Sequence, residues 1–244
     1  MRSAADAAPS FLYLPELAQC RGTVELEGDE ARYLSRVVRA REGERVTATD
    51  GQGRLATLLV VRSRPEVVVE VEEVRDVPAP AVSRLLCGAP EGDRGDWMVE
   101  KLAELGVTEL VPVDGVRVRW PEPLRTDRWE RLAVAALRQS RSAWRMRLAP
   151  VVGLRAAVES LGAGERWLAD PAGTPIGGVP CGAETAVTGA VGPSSGFSDD
   201  ERNLLQSHGF VPVALAATRL RTETAALAIA AHWAARRAQV GPSA

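Results

Sequence analysis

At Pro78-Ala79-Pro80 the chain changes its hydrophobic rhythm, and that change constrains the fold more than any other feature. Before it, Thr23 to Glu27 and Arg45 to Thr49 alternate with period two, and Val-rich runs follow at Leu55 to Val61 and Glu66 to Val74. Asp50-Gly51 is a turn signal between strand-like runs. A short helix is expected over Asp29 to Arg39. Several short strands in about 65 residues predict a small β-barrel. Two prolines around one alanine stiffen the connection, so the expected domains are 1–77 and 78–244.

After the prolines, strands and helices alternate. Strands are expected at Arg84 to Cys87, Val107 to Val113, Arg166 to Ala169, Thr185 to Val191 and Val211 to Leu215. Helices are expected at Asp96 to Leu105 (closed by Gly106), Thr126 to Ala143, Leu154 to Leu161, Ser198 to His208 and Thr222 to Arg237. This alternation predicts an α/β domain with a mainly parallel sheet.

Composition excludes several classes. With 45% hydrophobic residues in 244, the chain can bury real cores. Its net charge of -2 does not announce a nucleic-acid partner, so any basic surface must be local. Cys20, Cys87 and Cys181 are far apart, which argues against a zinc site or a disulfide framework and for buried or bystander thiols. Met1 to Pro9 has no apolar segment and no run is long enough to span a bilayer, so no membrane, no metal and a cytoplasmic location are expected. Lys101 is the only lysine among 30 basic residues, a skew that genomic base composition accounts for as well as function does.

The most informative stretch is Ala186 to Glu201, where an apolar strand runs into Gly192-Pro193-Ser194-Ser195-Gly196 and then a helix. Ser198 and Glu201 have capping-box spacing, which sets the helix start. Glycines let backbone approach a ligand, and a helix N-terminus offers free N–H groups. The pattern is neither a P-loop nor a dinucleotide fingerprint, and by itself it reads equally as a turn. A second strand-to-helix connection follows, from Leu215 through Arg219 and Arg221 to an Ala-rich helix. Thr222 is expected to cap that helix and Glu223 to suit its dipole, which competes with any catalytic use of either.

Residues 117 to 147 hold nine arginines and three acids, a local charge of +6. On a helix Arg128, Arg131, Arg138, Arg141 and Arg145 share one arc, while Trp129, Leu132, Ala133, Ala136 and Leu137 fill the other. The bland reading is a solvated face. The sharper one is an RNA-binding surface, with Trp120 and Trp144 flanking it to stack bases and Trp129 in the core.

Together these segments resemble the SPOUT-class methyltransferases that act on uridine N3 in 16S ribosomal RNA. The likeness runs through Ala31 to Arg39, Gly92-Asp93-Arg94-Gly95-Asp96, Glu100 to Val107 with Lys101, Pro112 to Arg117, and Gln139-Ser140. It is most specific at Gly192-Pro193-x-x-Gly196-Phe197-Ser198 with Glu201 and at Leu220-Arg221-Thr222-Glu223-Thr224-Ala225. Ser194 and Ser195 replace a Glu and a Gly of the family loop, Ala216, Thr218 and Arg219 replace Gly, Arg and Ile, and Gly115-Val116 replaces a Ser-Glu pair.

The resemblance implies a PUA-like β-barrel followed by an α/β domain with a deep trefoil knot, and a homodimer. It implies S-adenosylmethionine held by Gly192, Pro193, Ser194, Ser195, Gly196, Leu215, Ala216, Ala217 and Leu220. Arg221 would stabilise charge on the uracil, with Glu223 orienting it or helping to remove a proton. Arg117, Arg138 and Arg141, with Arg32 and Arg36 of the barrel, would meet ribosomal RNA in the small subunit. The alternatives are a non-catalytic RNA-binding protein of the same fold, or a methyltransferase for another RNA base.

Overall fold

The computed structural model describes residues 10–179, 182 and 184–240. Cys181 and the Met1 to Pro9 segment lie outside them. The chain forms two compact units, Met1–Ala79 with Leu137–Arg145, and Pro80–Ala136 with Met146–Ala244.

In the first unit, β1 (Phe11–Tyr13), β2 (Thr23–Leu26), α1 (Gly28–Arg32, continuing as a π turn to Val38), β3 (Arg45–Thr49), β4 (Arg54–Arg62) and β5 (Val67–Asp76) follow in order. The sheet order is β1-β3-β4-β5-β2, with β1 parallel to β3 and the other ladders antiparallel. Alternate residues Val46, Ala48, Leu58, Val60, Val67 and Val69 point into one core, as the period-two pattern requires. Register shifts at Thr57/Leu58 and Val60/Arg62 curl the long β4–β5 pair. The short strand β1 is too brief to carry a readable pattern, and the sequence reading missed it.

The turn at Asp50-Gly51 is longer than a two-residue hairpin. The Asp50 carboxylate accepts the N–H groups of Gln52 (2.7 Å) and Arg54 (3.0 Å), and the loop reaches Gly53. Gly53 has φ +101, and a Cβ there would sit 2.4 Å from the Trp144 ring. Trp144 Nε1 donates to the carbonyls of Val77 and Pro78. Its ring is thus spent on packing, not offered to bases as the sequence suggested. Leu137 and Ala143 close a small cluster with Phe11 and Leu55.

Arg138 also belongs to this unit. It pairs with the nearly buried Glu30 and lies 5.3 Å from the Tyr33 ring centroid. Burial pulls its pKa below the ordinary arginine value, against the raising effect of Asp29. Arg138→Ala leaves Glu30 without its cation. The expected loss is about 3 kcal/mol, the low end for a buried pair because 24% of the Arg138 side chain stays exposed. A chemical-denaturation midpoint measures it, and an arginine that served RNA alone would leave that midpoint in place.

The second unit contains β6 (Ser83–Cys87), α2 (Arg94–Glu104), β7 (Glu109–Asp114), the first part of α3 (Thr126–Ser140), β8 (Arg147–Leu148), β9 (Val152–Gly153), α4 (Leu154–Glu159), β10 (Glu165–Pro175), β11 (Val187–Val191), α5 (Asp199–Ser207), β12 (Val211–Ala214) and α6 (Thr222–Val240). Its strands run in the order β12-β10-β11-β6-β7-β8, with β9 on β7, and every ladder is parallel. Both faces are covered, so successive strand residues serve different cores. Leu85 and Cys87 join Met98, Leu102, Trp167 and Ile229, while Leu86 joins Leu154, Phe197 and Leu205.

Three expected boundaries move for local reasons. Helix α3 stops at Ser140 rather than Ala143, because Arg141 adopts φ +56. Strand β10 runs on to Pro175 rather than ending at Ala169, because its ladder with β12 resumes at Thr174 after a bulge. Thr222 is the first residue of α6, and its hydroxyl donates to Gly192 O (3.0 Å) instead of capping its own helix. The glycine cap on α2 is present, with Gly106 at φ +73.

Candidate active site

Strand β11 is buried throughout, and Gly189 is glycine because Trp233 and Ile229 lie 3.1–3.2 Å from where a Cβ would stand. The chain then turns at Gly192 to Gly196, where Gly196 N donates to Pro193 O (2.8 Å) and Gly196 takes φ +76. The expected capping box follows. Ser198 Oγ accepts Glu201 N (3.3 Å), and Glu201 accepts Ser198 N (2.7 Å).

The second connection, Leu215 to Arg221, folds back against the first. Besides the Thr222 bond to Gly192, Arg219 Nη2 donates to Ser194 O (3.2 Å). Between them opens a pocket of about 820 Å³, counted together with its open mouth. Seven of the nine expected cofactor residues line it: Gly192, Pro193, Ser194, Gly196, Leu215, Ala216 and Leu220. Ser195 and Ala217 are exposed and do not.

A third wall escaped the sequence reading. Leu168, Ala169, Asp170 and Pro171 line the pocket at the β10 bulge. Gly173 makes the bulge possible, since a Cβ there would lie 2.3 Å from the Pro212 backbone. The signal was present as Asp170-Pro171-Ala172-Gly173, a run of turn residues inside a strand pattern. Arg202, Thr218 and Arg219 also face the pocket. Buried Val191, Leu168 and Ala225 give it an apolar floor, while backbone groups and Asp170 give it a polar rim. An apolar floor for a base and polar rim groups for hydroxyls suit an adenosyl ligand.

Gly88 supports this site from below. Its N–H donates to Val191 O (2.9 Å), and a Cβ would sit 2.4 Å from Pro193 N. Gly88→Ala must displace the Pro193 turn. At about 1–3 kcal/mol for overpacking, cofactor binding weakens about fivefold or more, which calorimetric titration with S-adenosylmethionine reads directly.

Arg221 and Glu223 do not line the pocket. Arg221 is exposed, immediately before α6. Glu223 is 3% exposed; Oε1 pairs with Arg94 Nη1 (2.5 Å), and Oε2 is buried with no hydrogen-bond partner among the described residues. The cation that Glu223 holds is therefore Arg94, from the Gly92 to Asp96 motif, and not Arg221. Cys87 lies close by, and burial together with the Glu223 charge pushes its thiol pKa up, so it is no nucleophile.

The arginine-rich stretch is less free than its local charge suggests. Arg128 and Arg125 pair with Asp96, and Arg147 pairs with the buried Glu109. Trp120 is buried, edge-on to Trp129, with its Nε1 donating to Cys87 O (3.1 Å). It is a core residue, contrary to the stacking role expected of it. Arg117 and Arg141 are exposed, as are Arg32 and Arg36 of the first unit, where Arg32 is 3.6 Å from Asp29.

Two family models match the chain, an RNA methyltransferase PUA domain at residues 26–72 and an RNA methyltransferase domain at residues 78–234. A ribosomal RNA small subunit methyltransferase E from Mycobacterium bovis is 30% identical over 238 residues, covering 88% of this chain and 87% of that one. The chain belongs to the ribosomal RNA small subunit methyltransferase E family. A second member, from Synechocystis, is 28% identical and covers 83% of this chain and 70% of its own length. The solved structure of the Neisseria gonorrhoeae member bound to S-adenosyl methionine superimposes with a TM-score of 0.81 at 29% identity, over 92% of this chain and 96% of that one. The family membership and fold class read from the motifs are thus borne out. Among the described residues, no helix is long and apolar enough to cross a membrane and no cluster of side chains could hold a metal.

Proposed function

We propose that this chain transfers a methyl group from S-adenosylmethionine to N3 of a uridine in 16S ribosomal RNA. The observation that carries the reading is the pocket between the Gly192 and Leu215 connections, laced by Thr222 and Arg219. When bound, S-adenosylmethionine supplies an electrophilic methyl group. The chain's own share is to hold that group in line with the base, exclude water and balance charge.

Gly192, Pro193, Ser194, Gly196, Leu215, Ala216 and Leu220 would hold the cofactor largely through backbone groups, with Asp170 available to its hydroxyls at the rim. Uridine N3 gives up its proton to water, the negative charge that this leaves spreads over O2 and O4, and the new bond from N3 to carbon then quenches it. Arg221 stabilises that charge. Glu223 acts at one remove, by holding Arg94 near the start of the helix that Arg221 precedes. Exposed Arg117 of the second unit and Arg141, Arg32 and Arg36 of the first contact RNA phosphates. Residues 1–77 serve as the RNA-binding domain and 78–244 as the catalytic one. The protein acts as a homodimer in the cytoplasm on the small ribosomal subunit.

Mass spectrometry of ribosomal RNA nucleosides tests this. Deleting the gene removes one 3-methyluridine, and this chain restores it. An unchanged nucleoside profile on deletion overturns the proposal.

A further inference from the structure

We infer that Glu201 is a positioning residue that couples the cofactor wall to the arginine loop through one buried carboxylate. This rests on the function proposed above. A capping box needs only one carboxylate oxygen, and here Oε2 fills that role on Ser198 N (2.7 Å). The other oxygen is spent elsewhere. Oε1 accepts Val116 N (2.8 Å), 85 positions away along the chain.

Val116 begins the loop that presents Arg117 and Arg119. The loop is pinned at its far end by Asp114, which accepts Trp120 N (2.8 Å), and Val116 itself is 81% exposed. Gly115 lies directly against this contact. A Cβ at that position would stand 2.8 Å from Glu201 Oε1. Glu201 is 6% exposed, so neither bond is replaced by water at low cost.

The physical consequence is linkage. Gly192 to Gly196 leads directly into Ser198, and a ligand that orders this wall also orders Glu201. The same group fixes the start of the arginine loop. A cofactor in the pocket therefore prepays part of the ordering that RNA contact demands, and RNA binds more tightly to the loaded protein.

The experiment is a binding cycle on the full chain. Affinity for small ribosomal subunits from a strain lacking the gene is measured with and without saturating S-adenosylhomocysteine. Wild type shows a ratio of about fivefold or more. Glu201→Gln puts an amide NH2 against one of the two N–H donors, and its ratio falls to near one while S-adenosylhomocysteine still binds. Gly115→Ala pushes the carboxylate away from the loop side and has the same effect, so it carries the test where Glu201→Gln does not fold. Ser198→Ala removes the hydroxyl that accepts Glu201 N but neither bond of the Glu201 carboxylate, and it keeps the wild-type ratio.

A wild-type ratio of one, or an unchanged ratio in both Glu201→Gln and Gly115→Ala, overturns the inference alone. A wild type that binds neither S-adenosylhomocysteine nor subunit overturns the function on which it rests, and the inference with it.

Discussion

Replacing Arg221 with alanine lowers kcat for methyl transfer about 10²–10³-fold and leaves S-adenosylmethionine affinity within about threefold. Its side chain is exposed and outside the pocket lining, so truncation removes no cofactor wall. Its backbone role survives, because the Arg221 carbonyl accepts Ala225 N–H (2.8 Å) whatever the side chain. On the function proposed above, what disappears is a cation that meets charge only as the uracil N3 proton leaves. Such a loss falls on kcat rather than on cofactor binding. Lysine restores the charge but not the planar fork, so Arg221→Lys recovers part of the rate. Single-turnover methylation beside calorimetric titration separates the two quantities. Equal losses in rate and in cofactor affinity would make Arg221 a wall residue and end its assignment to the reaction.

Removing Arg94 costs stability about 3 kcal/mol, a fall in Tm of roughly 6–12 °C for a chain of this size. Glu223 is buried with Oε2 already unpartnered, and Arg94 is the cation on Oε1. Arg94→Ala therefore strands a carboxylate inside the second unit. The value sits at the low end for a buried pair because 44% of the Arg94 side chain is exposed. Replacing both partners with apolar residues, as Arg94→Met with Glu223→Leu, returns most of the stability, since no uncompensated charge remains. The double variant lacks both charges of the pair, so its turnover shows whether they serve the reaction as well as the fold. Thermal melts and turnover on the same samples read both effects. A single variant that melts like wild type would show that the pair contributes nothing to the fold.

Much of the fold was legible because burial writes itself locally. Val46, Ala48, Leu58 and Val60 alternate as a one-sided sheet demands, and Ser198 with Glu201 spells its helix start within four positions. The glycine loop was legible for the same reason, since Gly192 and Gly196 answer to close approach and positive φ within a single turn. Charge was the feature most poorly read. A local count of +6 ignores Asp96, Glu30 and Glu109, which reach the arginines from distant segments. Trp120 and Trp144 looked like stacking platforms for the same reason. The Cys87 carbonyl and Gly53, which occupy them, lie far off in the chain.

Local pattern alone established the two-part architecture, the parallel α/β second unit and the pair of strand-to-helix connections, because backbone sterics, capping and hydrophobic period act over a few residues. Only the three-dimensional arrangement revealed that Asp170 and Pro171 form a third wall, that Glu223 holds Arg94, and that Glu201 serves two loops at once. Those facts depend on which side chains meet across the sheet. A carboxylate's choice of partner is set by distance and desolvation in the folded chain, quantities that no spacing along the sequence encodes.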